Sequence, residues 1–237
     1  MPTLLLIRHG RTAANAGGIL AGRSPGVVLD ETGLDQAAAL AEHLAPLPLV
    51  RVIASPLERT VQTAQALLDS GGTKKVPRPA LQPEPQLLEC DYGTWTGQPL
   101  KNLLKEPLWK TVQAQPSAVV FPDGESMLTM QNRAVEAIRR HDREVEAEFG
   151  PHAVWAAVSH GDIIKAILAD ALGSHLDAFQ RIVVDPCSVS VVRYGDTRPF
   201  VMSMNGRGHG LDHLAVTPKK RRKPRSDAVV GGGAGPG

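Results

Sequence analysis

Short apolar runs alternating with helically spaced segments constrain this chain more than any other feature. Residues 3–7, 49–54 and 153–158 are almost uninterruptedly apolar, too brief for helices, and bounded by turn residues or charge. A strand without polar alternation is buried on both faces, as in a parallel sheet covered by helices. Helix-forming segments follow. Over 32–44, Leu34, Ala37, Ala38, Leu40, Ala41 and Leu44 recur at helical spacing behind Thr32, the expected cap, and Pro46 and Pro48 end the segment. From Pro56, Leu57, Val61, Ala64, Leu67 and Leu68 mark a second amphipathic helix closed by Gly71-Gly72. Residues 125–149 place Leu128, Ala134, Val135, Ile138 and Val145 on one face with charges opposite, and 162–172 is again helical.

Between these elements Pro77, Pro79, Pro83 and Pro85 interrupt the pattern before a short extended piece, Gln86 to Glu89. Near the end, β-branched runs at Ile182–Asp185, Ser188–Arg193 and 199–204 predict late strands with short connections, one of them antiparallel. The expected fold is an α/β three-layer sandwich: a mostly parallel central sheet, with one antiparallel strand, flanked by helices. No repeat and no domain boundary is visible. The chain reads as one domain over 1–216, with an insertion at about 90–124 lying over the sheet.

The formal charge of +2 hides a division. Residues 219–237 hold six basic residues and one acid, leaving 20 basic against 23 acidic over 1–218. The segment 217–237, basic and then glycine-rich, is expected to be a disordered tail. At 4% aromatic residues, a nucleic-acid surface built on stacked rings is not expected in the body of the chain. Cys90 and Cys187 match no zinc spacing and read as reduced structural thiols. No apolar run approaches the roughly 20 residues of a spanning helix, so the expectation is a cytoplasmic chain without a membrane partner.

Ligands of open parallel sheets gather at the carboxyl ends of the strands, so reactive residues there carry weight. Arg8 and His9 follow the first run, Ser55 and Arg59 the second, Glu89 closes the extended piece, and Ser159-His160-Gly161 follows the run at 153–158. Two guanidiniums form a clamp for a tetrahedral oxyanion, and phosphate is the natural ligand. Beside them an imidazole is driven toward its neutral form, which has a free lone pair for attack on phosphorus. A phosphohistidine would result, and Glu89 is the candidate acid for the departing alkoxide. Each residue alone has an ordinary structural reading, as a surface histidine, a solvated arginine or a loop carboxylate; their conjunction carries the chemistry.

Four segments in order, LLLIRHGRTAAN at 4–15, VIASPLERTVQTA at 52–64, LLECDYGTWTG at 87–97 and VSHGDIIKAILA at 158–169, resemble the phosphoglycerate-mutase-like branch of the histidine phosphatase superfamily. The resemblance implies that His9 is the phosphorylated nucleophile, that Arg8 and Arg59 clamp phosphate, that His160 is the second pocket histidine and that Glu89 is the general acid. Asn15 and Gly161 are implied as further phosphate contacts. DGES at 123–126 resembles an element that opens a helix near the pocket. Arg11 departs from the Glu or Gln of many relatives and reads as a surface arginine.

The resemblance admits hydrolysis of a small phosphorylated metabolite or phosphoryl transfer of the mutase type. Mutase-like relatives carry a longer, arginine-rich insertion after the acid-bearing segment. Here 27 residues without arginine separate Gly97 from Glu125, which favours a metal-independent phosphatase with no cofactor. A phosphate-binding regulatory protein that touches polyanions through its basic tail is the alternative from another class. Arg23, Tyr92, Trp95 and Trp109 are candidates for the pocket opening, with packing of the insertion as the competing role. Oligomeric state is left open, a homodimer included.

Overall fold

The uninterrupted apolar runs form strands whose alternate side chains enter two different cores. A computed structural model of the chain describes residues 1–72 and 77–215. In chain order the strands are β1 (Thr3–Arg8), β2 (Leu49–Ala54), β3 (Leu81–Pro83), β4 (Val154–Ser159), β5 (Val189–Tyr194) and β6 (Pro199–Gly206). The helices are α1 (Ala13–Ala16), α2 (Glu31–Leu44), α3 (Glu58–Asp69), α4 (Leu100–Leu103), α5 (Pro107–Ala114), α6 (Met127–Phe149) and α7 (Gly161–Ala171).

Among the described residues six strands make one sheet in the order β3-β2-β4-β1-β5-β6. β1, β2, β3 and β4 are mutually parallel, β5 pairs antiparallel to β1, and β6 pairs antiparallel to β5. One strand, β5, therefore runs against the other five. Leu4, Leu6, Ile53, Trp155 and Ala157 join a core with α6, α7 and the segment 90–121, while Leu5, Ile7, Val52, Ala54, Ala156 and Val158 join a core with α2 and α3. Burying each Leu or Ile side chain contributes about 1.5–3 kcal/mol, so a single Asp in β1 would offset several such contacts.

Caps and breakers set the helix limits. Asp30, rather than Thr32, caps α2, because its carboxylate accepts from the Gly33 N–H at 2.8 Å while the Thr32 hydroxyl accepts from Arg11. Leu34 and Leu128, assigned by spacing to buried faces, are 51% and 44% exposed. α3 begins at Glu58, two residues past Pro56, and α6 is capped by Ser126, whose hydroxyl accepts from the Thr129 N–H at 3.0 Å. Gly150 ends α6 at φ 85°, a conformation natural to glycine.

Two strand expectations fail. The piece 86–89 is not extended: Pro85–Leu87 is a 3-10 turn, and the strand pairing with β2 lies earlier, at Leu81–Pro83. The β-branched run 182–185 forms no strand, because β1 is already paired there by β5 and the Val184 carbonyl is taken by Arg8. Residues 90–124 form short helices and 3-10 turns that seat Tyr92, Trp95, Leu103, Val112, Val119 and Phe121 in the α6/α7 core. Cys90 and Cys187 are both free and buried, and burial pushes the Cys187 thiol up to about 12. Among the described residues no helix is long and apolar enough to cross a membrane. The expected tail, 217–237, lies outside the described residues.

Candidate active site

The carboxyl ends of β1, β2 and β4 and the segment leading into β5 enclose a crevice of about 340 Å³. Its walls include Arg8, His9, Asn15, Arg59, Glu89 and Gly161, six of the seven site residues expected from the sequence. The seventh, His160, is fully buried behind His9, the two rings meeting edge to face with centroids 5.3 Å apart.

His9 is held by the turn that ends β1. Its Nδ1 lies 2.7 Å from the Gly10 carbonyl oxygen, which can only accept, so Nδ1 carries the proton and Nε2 keeps its lone pair. The turn itself is wedged against the start of α2. A Cβ on Gly10 would sit 2.6 Å from the Gly33 carbonyl oxygen, and the Gly10 N–H donates to Thr63 Oγ1 at 3.1 Å. Burial, then Arg59 and Arg8, lower the His9 pKa to about 3, so the ring is neutral. His160 is shifted well down as well, by burial and then by His9 and the two arginines.

Each arginine is anchored by one nitrogen and free at another. Arg8 Nη1 donates to the Val184 carbonyl at 2.7 Å, while its Nε is buried without a partner. Arg59 Nη2 donates to the Gly22 carbonyl at 2.7 Å, while its Nη1 is buried without a partner. His160 repeats the pattern, with Nε2 2.8 Å from Ser55 Oγ and Nδ1 unpartnered. Buried polar groups left unsatisfied cost about 1–3 kcal/mol each, and three around one imidazole define a place for an oxyanion. The N-terminus of α7, opened by Gly161 with no side-chain cap, adds backbone donors at the same place.

Glu89 stands on the opposite wall. Burial, followed by the nearby Asp162 carboxylate, raises its carboxyl to about 7, although the Cys90 N–H, Arg59 and Arg8 pull the other way. A carboxylic acid that retains its proton near neutrality can donate it. Its main chain is clamped from two sides: Arg23 Nε donates to the Glu89 carbonyl at 2.8 Å and Arg133 Nη2 at 3.2 Å. Glu125 ties both guanidiniums together through Oε1.

Asn15 lines the crevice, but its Oδ1 is committed to the Thr12 hydroxyl and N–H in a capping box, which leaves the amide nitrogen for a ligand. Ser126 caps α6 and is absent from the crevice wall. Arg11 is a half-exposed partner of Asp30, and Arg23 is a brace rather than a lining residue. Of the opening candidates, Tyr92 reaches the crevice and donates to Asp162 Oδ2 at 2.8 Å, whereas Trp95 packs inward. Sequence reasoning missed Thr63, Asp162 and the segment 182–184. Asp162 alone had a signal, as the acidic residue in the first turn after Ser159-His160-Gly161. Among the described residues no group of three or more His, Cys, Asp or Glu side chains is arranged to hold a metal ion.

A family model described as histidine phosphatase superfamily (branch 1) matches residues 4–207. A protein of Yersinia pestis described as a probable phosphoglycerate mutase, GpmB, is 30% identical over 205 residues, covering 86% of this chain and 89% of its own. The crystal structure of a putative alpha-ribazole-5'-P phosphatase of Escherichia coli superposes with a TM-score of 0.73 at 25% identity, covering 86% of this chain and 96% of the other. A mycobacterial glucosyl-3-phosphoglycerate phosphatase shares the fold at a TM-score of 0.75 and 23% identity, over 86% and 98% of the two chains.

Proposed function

The chain belongs to the histidine phosphatase superfamily, branch 1, and from that premise we propose that it is a metal-independent phosphomonoesterase working through a phosphohistidine on a small phosphorylated metabolite. One observation carries the reading: three buried, unpartnered nitrogens, on Arg8, Arg59 and His160, surround an imidazole whose Nε2 lone pair is free.

A phosphate dianion placed there receives Arg8 Nε–H, Arg59 Nη1–H and the α7 backbone donors, and its charge offsets the repulsion between the two guanidiniums. With its proton on Nδ1, His9 attacks phosphorus through Nε2, so that a P–N bond forms as the P–O bond to the leaving group breaks. The alkoxide takes the proton of Glu89. Glu89, now a carboxylate, accepts a proton from water as the water oxygen attacks phosphorus. The P–N bond then breaks, returning neutral His9, protonated Glu89 and inorganic phosphate. Two guanidiniums supply the charge stabilisation that a metal ion would otherwise contribute.

Phosphate release from phenyl phosphate in excess chelator tests the proposal. Turnover should persist with chelator and vanish in His9→Ala; chelator-sensitive turnover, or a fully active variant, would refute it. A second reading, phosphoglycerate mutase, draws support from the name of the Yersinia relative. It requires isomer formation stimulated by a bisphosphorylated primer, and release of phosphate with no isomer formed decides against it.

A further inference from the structure

Beyond the phosphate end, a second cavity of about 270 Å³ lies beside the crevice, between the 90–121 segment and α7. Leu20, Tyr92, Leu100, Asp162, Lys165 and Gln180 line both spaces, so the two adjoin along that wall. The far wall is Trp95, Trp109, Val112, Phe121, Met127 and Phe179. The nearer wall is also apolar, with Ile19, Ile182 and Val183.

The polar groups of the shared wall already satisfy one another. The Tyr92 hydroxyl donates to Asp162 at 2.8 Å, and the Lys165 ammonium donates to Gln180 Oε1 at 3.1 Å, stands 3.8 Å from Asp162 and lies 5.7 Å above the Phe179 ring. None of these side chains carries a buried, unpartnered polar atom, in contrast to Arg8, Arg59 and His160. On the shared wall the Lys165 charge is offset by Asp162, so the strongest demand for an anion is at the phosphate end. A carboxylate on the leaving group would meet the Asp162 carboxylate beside any N–H that Lys165 has left to give.

The aromatic wall is fixed in advance. Trp95, 6% exposed, packs against Phe121 with centroids 5.4 Å apart and stacks on Trp109 at 6.1 Å with planes 24° apart. Trp109 is partly exposed at the rim and is held in orientation by this stack. A rigid aromatic face beside the phosphate crevice suits a flat, uncharged ring.

We infer that the substrate's leaving alcohol carries a flat apolar or aromatic ring, and that this ring sits in the second cavity against Trp109 while the phosphate occupies the clamp. The inference rests on the phosphatase reading and names the substrate class for that site. The space between clamp and cavity, walled by Leu20, Leu100 and self-paired polar groups, takes the linker that joins ring to phosphate.

Naphthylethyl phosphate and ethyl phosphate share the same primary-alkoxide leaving group and differ in the ring. The ratio of their kcat/KM values is expected to favour the naphthyl ester by at least about tenfold, the scale on which an apolar pocket discriminates small groups. Phosphoglycerate should fall below both. Trp109→Ala, and independently Leu100→Asp on the shared wall, should each cut the ratio at least threefold, with thermal unfolding run alongside to confirm folding. A ratio near one, a ratio unmoved in both folded variants, or a preference for phosphoglycerate overturns the inference while leaving the phosphatase reading intact. Failure to hydrolyse any ester refutes that reading instead. The cavity is then read without turnover: calorimetric titration of His9→Ala should show tighter binding of naphthylethyl phosphate than of ethyl phosphate, and equal binding overturns the inference.

Discussion

Replacing Glu89 by Gln preserves shape and removes only the ionisable group, so stability and catalysis can be read from one variant. In the folded chain the carboxyl titrates at about 7, against an ordinary 4.5. Below pH 4.5 folded and unfolded chains both hold the proton, and the group has no effect on stability. Between 4.5 and 7 only the unfolded chain sheds its proton, and above 7 the fold bears the whole cost of a desolvated carboxylate beside Asp162. That cost is about 3 kcal/mol. The penalty is therefore absent below pH 4.5, grows between 4.5 and 7 and is fully developed above 7. Glu89→Gln, which cannot ionise, should gain about 3 kcal/mol on the parent between pH 4 and pH 8.5, or about 6–12 °C in Tm for a chain of this size. Thermal unfolding of both proteins across that range measures it, and a difference that stays flat within about 1 kcal/mol refutes the argument. The same proton should govern turnover. Parental kcat/KM should decline above pH 7, and Glu89→Gln should lower kcat/KM, which reports only the steps through departure of the leaving group, on alkyl phosphates by about 10²–10⁴, with a much smaller loss on esters of acidic phenols. Equal losses on both ester types would mean that Glu89 does not protonate the leaving group.

Two further perturbations test the supports of the site. Arg133→Met strips donors from the Gln86, Leu88 and Glu89 carbonyls and leaves Glu125 with Arg23 as its remaining cation, a loss expected to cost about 3–5 kcal/mol in chemical denaturation; a change under 1 kcal/mol would show that the brace is redundant. Gly10→Ala would bring a Cβ within 2.6 Å of backbone at Gly33 and displace the turn that carries His9, so kcat should fall at least tenfold even where the protein remains folded. Wild-type kinetics in that variant would show that the turn relaxes freely.

The strands buried on both faces were legible because burial leaves no polar alternation: Leu4 to Ile7 serve two cores in turn, and the run in the sequence says so. The reactive residues were legible because their chemistry is local to the strand ends. What escaped was decided by competition between partners far apart in sequence. The run 182–185 has β-branched residues but no free strand edge, since β5 already pairs with β1 there. β3 has three residues and exists through its pairing with β2, which no local propensity announces. Arg23 looked like a rim residue, and only the fold brings it to Asp91 and Glu125, more than sixty positions away. Thr32 was the expected cap of α2, but its hydroxyl accepts from Arg11, and Asp30, whose other oxygen also holds Arg11, accepts from the Gly33 N–H.

The reversed direction of β5 has a consequence for recombination and loop grafting. Three walls of the crevice are built by chain leaving a strand, but the fourth, 182–184, is built by chain about to enter one. The register of β5 is set by Leu5 opposite Val191 and Ile7 opposite Val189, behind the Cys187 N–H that returns to the Arg8 carbonyl. A segment exchanged between Gly173 and Pro186 is thus anchored by α7 on one side and by an already registered strand on the other. It forms a natural cassette, through which the mouth of the pocket can be rebuilt while the residues of the phosphate clamp keep their places, provided that the new segment returns a carbonyl to Arg8 where Val184 does now.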